Sequence, residues 1–142
     1  MIRISQLTAL VASGILMNSC TQVGDSWVLG NMAAAAHDQI MLVRSEPPSF
    51  GFRRMASQAR VYPDIAVFVS QRGLPDFLAE TGSRERQYFI LYYLKDREAF
   101  ACRTRPEGGE SVQFAGPYPI TDREFSLLDN FRRDPNRKPS KF

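Results

Sequence analysis

From Phe52 the apolar positions recur with helical spacing. Phe52, Met55, Ala59 and Tyr62 are separated by three, four and three residues, and Arg53, Arg54 and Arg60 take the remaining faces. Pro63 closes this helix, and Pro63-Asp64 opens a second one carrying Ile65, Phe68, Val69 and Arg72. Gly73 suits the left-handed position that ends a helix, with apolar Leu74 behind it. Ile65, Val67 and Val69 also alternate as a strand would, but the start and stop signals favour helix.

After Pro75-Asp76 the period changes to two. Phe77 to Thr81 predicts a strand ended by Gly82-Ser83. Gln87 to Leu94 places Tyr88, Ile90, Tyr92 and Leu94 on one face and Phe89, Leu91 and Tyr93 on the other. Apolar side chains on both faces mark a central strand covered, at least in part, on both sides. Lys95 to Glu98 turns the chain into a partner strand, Ala99 to Arg105. A second turn, Glu107-Gly108-Gly109-Glu110, leads to a short strand, Val112 to Ala115, and Gly116-Pro117-Tyr118-Pro119 reads as a loop. Thr121 and Glu124 have capping-box spacing, and the helix they open buries Phe125, Leu128 and Phe131, supported by Leu127. The fold class is therefore α+β: a small antiparallel β-meander with two to three helices, expected on one sheet face, over residues 49–133.

Upstream the pattern is weaker. Ile40 to Val43 is a short strand or the end of a helix, and Ser45-Glu46-Pro47-Pro48-Ser49 breaks the chain. Residues 20–48 are thus expected to be a tether with some local order. The first residues differ again. Arg3 precedes an apolar stretch, Leu7 to Met17, and no charge occurs from Ile4 to Thr21. Eleven residues are too few to cross a hydrocarbon core, which takes roughly 20. They match the apolar region of a secretory signal peptide.

That stretch ends in Leu16-Met17-Asn18-Ser19-Cys20. The segment resembles the lipobox of bacterial lipoprotein precursors, with Ser19 as the small residue and Cys20 as the cysteine. Met17 stands where Leu is usual, and Asn18 is an uncommon choice. The resemblance covers residues 1–20 alone. It implies a signal peptide over 1–19, acylation of Cys20 and attachment to a membrane in the bacterial cell envelope. Thr21 in place of Asp implies the outer membrane, facing the periplasm. Two or three acyl chains hold a small domain on a bilayer where one would be marginal.

Composition narrows the rest. The 142 residues, 44% hydrophobic and 11% aromatic, suffice for one domain with a real core. The net charge of +3 suggests a nucleic-acid ligand until it is divided by region. Residues 20–131 hold twelve basic and fourteen acidic side chains, whereas 132–142 hold five basic residues and one acid. The basicity belongs to the end of the chain, where 134–142 reads as a basic disordered tail, so no nucleic-acid partner is expected.

Candidate chemistry is sparse. His37 is the only imidazole, and its sequence neighbour Asp38 makes no relay with it. Cys102 reads as a small buried hydrophobe beside Phe100. Asp76 with Glu80, and Glu107 with Glu110, read as solvated turn charges, and Gly108-Gly109 as a turn rather than an anion cradle. No catalytic residue, metal or cofactor is assigned. Tyr88, Tyr92, Tyr93 and Tyr118 are the candidate binding residues, provided one sheet face lacks a helical cover. The resulting expectation is a lipid-anchored envelope protein with a non-enzymatic binding or structural domain, its partner an envelope protein or polymer. Two alternatives stand beside it: an exported small hydrolase-type enzyme, and an intracellular basic protein whose N-terminal apolar segment is core.

Overall fold

A computed structural model describes residues 39–82, 86–105 and 108–136. Cys20, His37, Glu107, the expected signal segment and residues 137–142 of the expected tail lie outside these residues. The described chain forms one five-stranded antiparallel sheet with three helices, an α+β fold as the sequence pattern predicts. In chain order the elements are β1 (Gln39–Leu42), α1 (Phe50–Val61), α2 (Pro63–Arg72), β2 (Phe77–Gly82), β3 (Gln87–Tyr93), β4 (Glu98–Thr104), β5 (Val112–Pro119) and α3 (Asp122–Arg133). The strands lie in sequence order, β1-β2-β3-β4-β5, so the sheet is a meander with two helices inserted after its first strand.

The helix boundaries follow local chemistry. Ser49 caps α1, its hydroxyl accepting from the Phe52 amide at 3.1 Å while donating to the Leu42 carbonyl at 2.6 Å. One side chain thereby starts the helix and fastens it to β1. Pro63 occupies the first turn of α2, and Gly73 ends it at φ 96°. Leu74 behind it stays exposed. At α3 both halves of the capping box form: Glu124 N–H donates to the Thr121 hydroxyl, and Thr121 N–H donates to the Glu124 carboxylate. Asp122 lies at the positive end of the helix dipole and Arg132 and Arg133 at the negative end.

Three expectations need correction. First, the sheet begins inside the presumed tether. Gln39 to Leu42 pair with Glu80 to Phe77, so the domain starts ten residues before position 49. A four-residue edge strand has too short a run for its period to show. Second, Gly116 to Pro119 belongs to β5 rather than to a loop. The register steps from Ala101↔Ala115 to Ala99↔Tyr118, which places one extra residue on β5. Such a bulge and two prolines are tolerated there because β5 is an edge strand. Third, the helices occupy both faces of the sheet.

Period-two alternation explains this last arrangement. On one face Met41, Leu78, Phe89, Leu91, Cys102 and Val112 pack against Met55, Ile65, Phe68 and Val69 of α1 and α2. On the other, Phe77, Ala79, Ile90, Tyr92, Ala99 and Ala101 pack against Phe125, Leu128 and Phe131 of α3. Strand β3 feeds both layers, as its doubly apolar pattern indicates.

Candidate functional site

The four tyrosines separate on the sheet. Tyr92 and Tyr93 are 1% and 6% exposed, which makes them core residues and removes them from any surface patch. The Tyr93 hydroxyl donates to the Gly73 carbonyl at 2.9 Å, and its ring lies under the Arg72 guanidinium, 5.4 Å away. It fixes the end of α2 rather than facing a ligand. Tyr88 and Tyr118 are half-buried on the α3 side, Tyr88 opposite Arg103 and Tyr118 opposite Ala99. The structure therefore does not gather the four into one patch, because helices cover both faces.

Burial shapes the acid–base behaviour of this core. It pushes the Cys102 thiol and the Tyr92 phenol well above their ordinary values of 9.0 and 10.0. Tyr93 is pushed up to about 12, by burial first, opposed by Arg72 and assisted by Asp76. Cys102, fully buried and unpaired, is a structural thiol, inert as a nucleophile at neutral pH. For these acids the neutral form is the folded form. Their contribution is complete below the unfolded pKa values and is lost as pH rises from about 9 toward the folded values. Urea unfolding between pH 8 and 11 is expected to show stability falling above pH 9, by up to about 1.4 kcal/mol per pH unit for each group. Cys102→Ala should delay the fall to about pH 10; stability constant up to pH 11 would contradict the burial.

Polar chemistry instead gathers at the β2–β3 end of the α1 face. A recess of about 240 Å³ is lined there by Arg54, Glu80, Thr81, Gly82, Gln87 and Phe89. Glu80 points from β2 toward α1, and its carboxylate accepts from Arg54 Nε at 2.8 and 3.0 Å and from Gln58 Nε2 at 3.2 Å. Gln58 is 6% exposed and the Glu80 side chain 12%. With two donors holding it, this nearly buried carboxylate is compensated. The pair Arg54 and Gln58 stand four residues apart, one helical turn, at the margin of the apolar stripe of α1.

The recess offers hydrogen-bond donors. The Arg54 guanidinium uses its Nε on Glu80, and its terminal nitrogens have no partner among the described residues. Arg54 is thus able to donate to a carboxylate or carbonyl oxygen, above an aromatic floor at Phe89 and beside the Gln87 amide. Asp76 and Glu80, expected as solvated turn charges, are not: Glu80 lies inside β2, nearly buried, because Arg54 and Gln58 compensate its charge, and Asp76 is held by backbone. Asp76 Oδ2 accepts from the Leu94 amide at 2.7 Å, and its other oxygen faces Arg132 at 3.8 Å. Gly108 and Gly109 sit at φ 78° and 96°, which is a turn. No group of three His, Cys, Asp or Glu side chains suited to a metal ion occurs among the described residues. No described helix is long and apolar enough to cross a membrane. No family model matches the chain, nor does any curated protein or solved structure.

Proposed function

We propose that the protein is a bacterial envelope lipoprotein: acyl chains on Cys20 hold it on a membrane, and its α+β domain is a binding module without catalytic activity. The observation that carries this reading is the placement of Ser19-Cys20 at the end of an uncharged, eleven-residue apolar stretch. The domain is suited to display from a tether. Eighteen residues separate Cys20 from Gln39, where the sheet begins. Fully extended they reach roughly 60 Å. The Arg54–Glu80 recess is the place where a polar group of an envelope protein or polymer would seat.

Replacement of Cys20 by alanine in the native host tests the anchor. Wild-type protein should sediment with membranes, resist high salt and be released by detergent. The Cys20→Ala protein should appear in the soluble fraction, or accumulate at the larger mass of an uncleaved precursor. Identical fractionation and mass for both proteins would overturn the reading.

A further inference from the structure

The outer surface of the two-helix layer carries an unusual combination of side chains. The exposed large hydrophobic residues of the described chain are Phe50, Val61, Val67 and Leu74, and all four sit on α1, on α2 or directly behind α2. On α1, Phe50, Arg53, Ser57 and Arg60 are spaced by three, four and three residues, so they form one exposed stripe, with Val61 beside it. The helix has three arginines and no acid. Arg54 is held by Glu80, but Arg53 and Arg60, and Arg44 on the turn before α1, have no ion pair among the described residues. Elsewhere Arg72 pairs with Asp96 and Glu98, Arg97 with Asp122, and Arg132 and Arg133 with Asp129; Lys95, Arg105 and Arg123 also lack an ion pair among the described residues but have no exposed large hydrophobic residue on their own elements.

We infer that this face of α1, centred on Arg53, Arg60 and Phe50, rests on the surface of an anionic phospholipid bilayer. Arginines beside a protruding aromatic ring are what an interfacial helix presents to headgroups and the acyl boundary beneath them. The inference rests on the anchoring proposed above, which supplies the bilayer. Gly51 places α1 directly against Leu42 of β1, so the helix lies beside the strand through which the tether enters the domain. A lipid-held tether of eighteen residues keeps that helix within a few tens of ångströms of the headgroups, where weak attractions become effectively intramolecular. Each arginine near such a surface contributes on the order of fivefold in partitioning. The alternative polyanion, a nucleic acid, is less suited, since the stripe presents one aromatic ring and no series of them for base stacking.

The test uses the mature chain, residues 20–142, carrying Cys20→Ala, which removes both the acyl chains and the apolar leader, and vesicles of phosphatidylcholine alone or with about 30% phosphatidylglycerol. Partitioning onto the anionic vesicles should exceed that onto the neutral ones and should weaken with salt. Adding Arg53→Glu and Arg60→Glu together should reduce it by at least about tenfold. Adding Arg123→Glu, an exposed arginine on α3, should change it less than twofold. Circular dichroism should match throughout, because all three positions are exposed. An equal loss from Arg123→Glu would overturn the inference, as would undiminished binding by the doubly reversed protein. Duplex DNA bound more tightly than the anionic vesicles, and lost on the same double reversal, would also overturn it. Native protein lacking acyl chains would defeat the anchor alone, since the vesicle result is read without them.

Discussion

Phe77→Ala is expected to destabilise the domain by about 3–5 kcal/mol, the range for deleting a large, fully buried aromatic ring. Phe77 is 0% exposed and opens β2, with Leu42 opposite on one side and Tyr92 on the other. Its ring stacks on Phe131 of α3 with centroids 5.6 Å apart. Removing it leaves a void between the sheet and the helix, and both Tyr92 and Leu128 border the same cluster without a flexible side chain to fill it. Domains of this size are stable by about 5–15 kcal/mol in total, so much of the margin goes. Urea denaturation at pH 7 measures the loss, with Phe50→Ala as the comparison. Phe50 is 58% exposed, and its replacement should alter stability by less than about 0.5 kcal/mol. A loss below about 1 kcal/mol for Phe77→Ala would contradict the packing of α3 on this face.

Gly51→Ala is the second large effect, and its sign runs against helix propensity. Alanine favours a helix over glycine by up to about 1 kcal/mol in its interior and by less in the first turn, where Gly51 stands. Here the added Cβ would stand 2.4 Å from the Leu42 carbonyl oxygen and 2.9 Å from the Met41 Cβ. These are backbone and β-carbon positions, which yield only if α1 moves off β1. Overpacking of this kind costs about 1–3 kcal/mol and more when backbone must shift, so a net loss of about 2 kcal/mol or greater is expected. The displacement would also strain the Ser49 bonds to Leu42 and Phe52 that start the helix. Thermal unfolding checks this directly. A variant as stable as wild type, or more stable, would show that α1 and β1 are not in close contact.

These two residues also show which parts of the molecule were legible. Gln87 to Tyr93 and its hairpin partner declare themselves because their apolar residues run almost continuously between turn signals, and Thr121 with Glu124 announces α3 through a contact only three residues long. Such signals are local. Strand β1 is not: its pairing partners lie about forty residues later, at Phe77 to Glu80, and nothing within Gln39 to Leu42 specifies them. The two-sided helical cover was present in the alternation of β3, but choosing the face for α3 needed the path of the chain after β5.

The candidate site was still less visible. Arg54, Gln58, Glu80 and Gln87 come together only through the packing of α1 on β2 and the register of β2 with β3. Two signals could have pointed there. Glu80 is the lone acid within an apolar strand, and Arg54 with Gln58 are polar residues one turn apart beside the buried stripe of α1. The tyrosines misled for a physical reason: aromatic side chains at period two are the filling of a covered sheet, and Tyr92 and Tyr93 serve as that filling.

Whether this domain works on a membrane rests on one thiol, and the intact mass of the protein purified from its own cell reads that thiol directly. The chain should lack its first nineteen residues and carry the added mass of a diacylglycerol group on Cys20, with or without a third acyl chain on the new amino terminus. A mass equal to the unmodified chain beginning at Met1 would contradict the anchor.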